Sequence, residues 1–136
     1  MQIKNIVETC LYASDLKKAE WFYSEVLKLE PVASEENRHV FFRCGDGMLL
    51  IFNPGHTKQE KTFMNGDLIP LHGCEGPGHV AFGINPEEYD SWKERLVKLN
   101  IEIESEVTWP NGYKSLYFRD PANNSLELTT PALWEN

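Results

Sequence analysis

The feature that most constrains this chain is a pattern that occurs twice. In the first copy, Ile3 to Tyr12 alternates apolar and polar residues as a strand does. Ser14-Asp15 offers a helix cap. Leu16, Ala19, Phe22, Tyr23, Val26 and Leu27 then recur at helical spacing over 15–28, ahead of Pro31. Val32–Ser34, Arg38–Cys44 and Met48–Asn53 read as three strands, the last two joined by a turn at Asp46-Gly47. In the second copy Gly78–Ile84 is a short strand, and Asn85-Pro86-Glu87-Glu88 opens a helix with a cap, a proline in the first turn and an acid three residues on. Tyr89, Trp92, Leu96 and Leu99 give that helix its apolar stripe, and Asn100 can end it in the left-handed conformation. Ile101–Thr108, Tyr113–Arg119 and Ser125–Thr130 are strands, with Asn111-Gly112 as a turn. Trp21 matches Trp92 in this overlay, and Phe42-Arg43 matches Phe118-Arg119.

A duplicated βαβββ unit implies an α+β fold. Each helix covers one face of its own sheet, and the other face is left to curl around a shared open cleft. The helix aromatics Trp21, Phe22 and Trp92 are assigned to the core. Residues 54–77, rich in Gly, Pro and charge, read as a long loop or linker, and a loop of that length is often functional. The expected organisation is one domain over 1–136: module one over about 1–53, a linker over 54–77, and module two over 78–136.

Composition narrows the partners. A formal net charge of −8 argues against nucleic acid or an anionic membrane surface. No apolar run approaches the length of a membrane span, and the first residues lack a signal peptide's apolar core. Cys10, Cys44 and Cys74 are odd in number and fit no zinc or redox spacing, which suits reduced thiols in the cytoplasm. Gly45-x-Gly47 lacks the third glycine and following helix of a phosphate loop.

Overlaying the two modules places chemistry. His79 in the second falls where Glu8 sits in the first. On the first strands Glu8, Cys10 and Tyr12 share one face, and His79, Ala81 and Gly83 share the corresponding one. Glu127, mid-strand between Leu126 and Leu128, has Leu50 as its counterpart. The bland reading of Glu127 is a polar residue on a wet face; the sharper one is a ligand or base. The overlay brings Glu8, His79 and Glu127 onto concave faces, with Leu50 in the fourth equivalent place.

Four stretches in this order, ETCLYASDLKKAEWFYSEVLKLE, FFRCGDGMLLIF, GPGHVAFGI and SLYFRDPANNSLELTTP, resemble the vicinal oxygen chelate superfamily of glyoxalases, bleomycin-resistance proteins, fosfomycin-resistance proteins and extradiol dioxygenases. The resemblance implies paired βαβββ modules around a metal cleft, with ligands at His79 and Glu127 and a third at Glu8, where the family usually has His or Gln. Leu50, at the fourth position, cannot coordinate. Lys28 and Asn123 stand where the family favours Gly. One imidazole and two carboxylates suit Zn, Ni, Mn or Fe as the divalent ion. The set departs from the two-His facial triad, so a dioxygenase ranks low. Glu127 or Glu8 would act as catalytic base in metal-assisted chemistry. Trp109, Tyr113, Arg119, Phe52 and Trp134 are candidate substrate-binding walls, with Arg119 either holding an anionic group or pairing outside with an acid. His72 could add a second imidazole if its loop folds inward. His39 and His56 read as surface or loop histidines. The implied activity is that of a glyoxalase-type lyase or isomerase on a small oxygen-chelating substrate. The alternatives are a fosfomycin-resistance-like transferase or hydrolase, and a metal-free binding protein of the bleomycin-resistance kind. A homodimer is implied by the same resemblance.

Overall fold

The computed structural model describes residues 1–74 and 76–135, in two compact units, Met1–Gly76 and Pro77–Asn136. The α+β class and the two βαβββ units read from the sequence are the observed architecture.

The first unit contains β1 (Glu8–Tyr12), α1 (Leu16–Trp21), β2 (Glu30–Glu35), β3 (His39–Cys44) and β4 (Gly47–Phe52). Asp15 caps α1 by accepting from the Lys18 backbone N–H at 3.1 Å. The helix widens into a π-helical stretch over Phe22–Val26, and Lys28 follows at φ 60°. The sheet order is β1-β4-β3-β2, with β1 parallel to β4 and the other pairs antiparallel. Leu11, Leu49, Ile51, Val40 and Phe42 are buried, as are Ala19, Phe22, Tyr23 and Val26 of the helical segment. Trp21 is not core: it is 52% exposed. It lies about 200° around the helix from Ala19, off the stripe that faces the sheet.

The first strand is shorter than its alternation implies. It begins at Glu8, and Ile3, Ile6 and Val7 are exposed. The hairpin turn falls on Gly45-Asp46, because Gly47 already pairs with Cys44 and Gly45 takes the positive φ of 55°. The segment read as a linker holds a helical turn, α2 (Pro54–Thr57), and a two-stranded hairpin of β5 (Thr62–Met64) and β6 (Asp67–Ile69). Asn65-Gly66, both at positive φ, form the turn that its charge-rich composition concealed.

The second unit repeats the scheme with β7 (His79–Gly83), α3 (Tyr89–Lys98), β8 (Ser105–Thr108), β9 (Lys114–Arg119) and β10 (Ser125–Thr129). Its sheet order is β7-β10-β9-β8, with β7 and β10 parallel. A 3-10 turn, Pro86–Glu88, leads into α3, and the Asn85 side chain makes no capping hydrogen bond. Asn100 does end the helix at φ 62°. Trp92 is half-buried, and Leu96, Leu116, Phe118, Leu126 and Leu128 make the core. Between β9 and β10, Asp120 Oδ1 accepts from the Ala122 and Asn124 backbone N–H groups at 2.9 and 2.8 Å, and its Oδ2 from Asn124 Nδ2 at 2.9 Å. Asn124 Oδ1 in turn accepts from the Gly78 N–H at 2.8 Å, which ties this turn to the start of β7. Among the described residues no helix is long and apolar enough to cross a membrane.

Candidate active site

Strand register decides which side chains meet. In β7–β10, Ser125 pairs with His79 and Glu127 with Ala81; in β1–β4, Met48 pairs with Glu8 and Leu50 with Cys10. Counting from the first-strand residue, Glu127 and Leu50 therefore hold the same place in their units. Alternation puts His79, Ala81 and Gly83 of β7 on one face with Glu127 and Thr129 of β10, and with Ser115 and Tyr117 of β9. The opposite face carries the buried apolar residues Leu116, Phe118, Leu126 and Leu128.

On the polar face His79 and Glu127 meet, with Nε2 and Oε1 3.4 Å apart. The imidazole is half-exposed and the carboxylate buried. His79 Nδ1 lies 3.0 Å from the Ser125 carbonyl oxygen. A carbonyl can only accept, so Nδ1 carries a proton and donates it there. A neutral ring then turns the lone pair of Nε2 toward a carboxylate oxygen. Two lone pairs facing each other need a cation between them, either a proton or a metal ion. Fixing one ring nitrogen on a carbonyl to free the other is also the usual outer support of a metal-binding histidine.

Glu127 is held from behind. Ser115 Oγ–H donates to Glu127 Oε2 at 2.6 Å, and Trp109 Nε1–H donates to Ser115 Oγ at 2.8 Å. The indole can only donate, so the single Ser115 proton is left for the carboxylate. Thr129 Oγ1 lies 3.0 Å from Ser115 Oγ and 3.2 Å from the Lys114 carbonyl. Burial first, then the neighbouring Glu127 carboxylate, push the Tyr117 phenol pKa up. One carboxylate oxygen is thus occupied by Ser115 while the other faces His79.

The His79–Glu127 pair has the spacing of two ligands of one divalent ion. Ligand atoms about 2.1 Å from one ion stand roughly 3.0–3.4 Å apart at octahedral to tetrahedral angles. The His79–Glu127 separation of 3.4 Å is at the upper end of that range. Among the described residues, no group of three or more His, Cys, Asp or Glu gathers where it could hold an ion. Glu8, the third ligand implied by the resemblance, is exposed on β1 of the first unit.

The other sequence candidates separate. Trp109 and Trp134 line a cavity of about 480 Å³ that opens over His79 and Glu127, together with Ala81, Pro110 and Leu133. Tyr113 lines a different hollow, of about 210 Å³, near Tyr89. Arg119 donates to both carboxylate oxygens of Glu104, at 2.8 and 3.1 Å, and to the Asn123 carbonyl at 3.1 Å, so of its two sequence readings the pairing with an acid is the one observed. Phe52 is buried in the first unit among Tyr12, His39, Phe41 and His72. His72 does fold inward, within that unit: its Nδ1 is 2.8 Å from the Tyr12 hydroxyl. His39 is no surface histidine. It stacks on Phe41 at a centroid distance of 4.0 Å. His56 is half-buried between Arg38 and Glu60. A larger cleft of about 660 Å³ in the first unit is lined by groups such as Asp15, Lys17, Glu20 and Glu36, and its His39–Glu35 pair is wider, at 3.8 Å, with an exposed carboxylate. Ser115, Tyr117 and Thr129 are the site residues that sequence reasoning missed.

Two βαβββ units, one with a histidine and a buried carboxylate side by side on its open face, define the class of a glyoxalase-fold protein. The family model of the Glyoxalase/Bleomycin resistance protein/Dioxygenase superfamily matches residues 5–128, and the chain belongs to that superfamily. Among solved structures it is similar to a lactoylglutathione lyase from Agrobacterium tumefaciens, with 42% identity, a TM-score of 0.90 and 98% of each chain covered. It is 28% identical to the fosfomycin resistance protein FosX of Listeria innocua, over 98% of this chain and 94% of the relative. A variant of FosX from Listeria monocytogenes, solved with Mn(II) and a dihydroxypropylphosphonic acid, is 27% identical with a TM-score of 0.69, over 94% of this chain and 90% of that one.

Proposed function

We propose that this protein is a divalent-metal-dependent enzyme of the glyoxalase type, a lyase or isomerase acting on a small substrate that chelates through adjacent oxygens. The observation that carries the reading is the His79–Glu127 pair, with Nδ1 committed to the Ser125 carbonyl and Nε2 facing a buried carboxylate. His79 and Glu127 are the proposed ligands, and Glu8 is added as a third on the strength of the family resemblance. A bound divalent ion would supply Lewis acidity toward the substrate's oxygens. Glu127 Oε1 is the proposed general base. Ser115 holds the carboxylate in place by donating to its Oε2. Trp109 and Trp134 wall the cavity over that carboxylate. A homodimer in the cytoplasm belongs to the same reading.

The names of the fosfomycin-resistance relatives favour a second reading, a transferase or hydrolase acting on a phosphonate. A superfamily with several chemistries does not fix the reaction. The test is a substrate panel of hemithioacetals and fosfomycin with and without added metal. Turnover of a hemithioacetal that needs metal and falls at least a hundredfold in Glu127→Gln supports the first reading. Turnover of fosfomycin alone replaces it with the second, and no turnover in either arm returns the chain to the binding-protein alternative.

A further inference from the structure

We infer that the cavity over His79 and Glu127 takes a neutral, apolar-bodied ligand, of the size of a substituted aromatic ring, in preference to an anionic one. This rests on reading that cavity as the substrate site. Its walls are Trp109, Pro110, Leu133 and Trp134, with Ala81 beside Glu127. Its other polar groups, Asn111, Tyr117 and Thr129, are all uncharged. Among the described residues that line it there is no lysine or arginine, and Arg119 is committed to Glu104.

Charge then decides the ligand class. A phosphonate would bring negative charge into a hollow that already holds a buried carboxylate, where a screened surface cation cannot compensate. The aromatic walls instead suit a flat apolar body, and about 480 Å³ is enough for a small molecule. Tyr117 and Asn111 can hydrogen-bond to carbonyl or hydroxyl oxygens, which the neutral ligand supplies.

The experiment follows the indole N–H resonances of ¹⁵N-labelled protein. Three probes are titrated into metal-free and Mn(II)- or Zn(II)-loaded samples: 2-hydroxyacetophenone, phenylphosphonate and fosfomycin. Paramagnetic broadening makes the Zn(II) sample the one read for shifts. The neutral ketol is expected to move the Trp109 and Trp134 signals saturably, with a Kd at least tenfold below either phosphonate, and to leave Trp21 and Trp92 in place. Trp134→Ala removes one wall from a side chain that is 86% exposed, so the fold is retained, and ketol binding should weaken at least threefold. Phosphonate binding as tight as the ketol's, or ketol binding that spares both Trp109 and Trp134, overturns the inference. Metal content measured on the same samples separates this from the reading beneath it. Bound metal with the phosphonates preferred sinks the ligand class alone. Ketol preference in a protein that takes up no metal keeps the ligand class and sinks the metal-enzyme reading.

Discussion

Ser115→Ala is the substitution that most directly tests how the site is held. Ser115 is fully buried, and its hydroxyl donates to Glu127 over 2.6 Å. That length lies in the range of about 2.5–2.7 Å typical of hydroxyl donors to ionised acceptors. Glu127 is 6% exposed, so water has little access to replace the lost donor. A hydrogen bond to a charged group contributes about 1.5–3 kcal/mol, and a buried acceptor left unpaired costs toward the top of that range. The expected loss is therefore about 2–3 kcal/mol, or roughly 6–12 °C in Tm for a chain of this length. The Trp109 indole loses its acceptor too, but it is half-buried and water can serve it. Urea unfolding of wild type, Ser115→Ala, Glu127→Gln and the double variant measures the coupling, expected at about 1–2 kcal/mol. Metal affinity should fall about 10–100-fold in Ser115→Ala, as for other lost supports of a ligand. A variant within 0.5 kcal/mol of wild type (about the scatter expected of independent sites) and with no coupling to Glu127 would refute the reasoning that Ser115 holds this carboxylate.

Asp120→Ala removes an acceptor of three hydrogen bonds in the β9–β10 turn and should cost about 3 kcal/mol or more in denaturant unfolding. Lys28→Gly relieves a non-glycine residue at φ 60° and should raise stability by about 0.5–1 kcal/mol, the strain relieved outweighing the added chain entropy. Burial holds the His39 pKa below its ordinary value of 6.5, so below pH 6.5 the unfolded chain binds the proton more readily than the folded one. Stability should accordingly fall as pH drops from 6.5 through the lower folded pKa, and His39→Phe should flatten that fall while leaving stability above pH 7.5 little changed, as read by thermal melts across the series.

The duplicated unit was legible because alternation and helical spacing are local properties, and both helices and all eight main strands emerge from them. The overlay of Glu127 with Leu50 was legible too, since two parallel pairs in the same register follow from two copies of one topology. The edges were not. Ile3, Ile6 and Val7 alternate as strand residues do, yet pairing begins at Glu8, and alternation alone does not say where a partner strand ends. The β5–β6 hairpin was hidden because its strands are three residues each, too short to show a period. Ser115 and Tyr117 could have been found. The Asp120–Asn124 turn pairs Arg119 with Ser125, and counting back along that antiparallel register sets Tyr117 opposite Glu127, with Ser115 next on the same face. Arg119 shows the reverse limit: its strand position was clear, but its commitment to Glu104 depends on a contact fifteen residues away in sequence.

The measurement that tests the central claim most directly is metal content by mass spectrometry, on untagged wild type beside His79→Ala, Glu127→Ala and Glu8→Ala. Near-stoichiometric divalent metal in the wild type, lost in the His79 and Glu127 variants and reduced in Glu8→Ala, is the result this account predicts. A wild type that stays empty after metal is added back, or His79 and Glu127 variants that keep the metal, would contradict it.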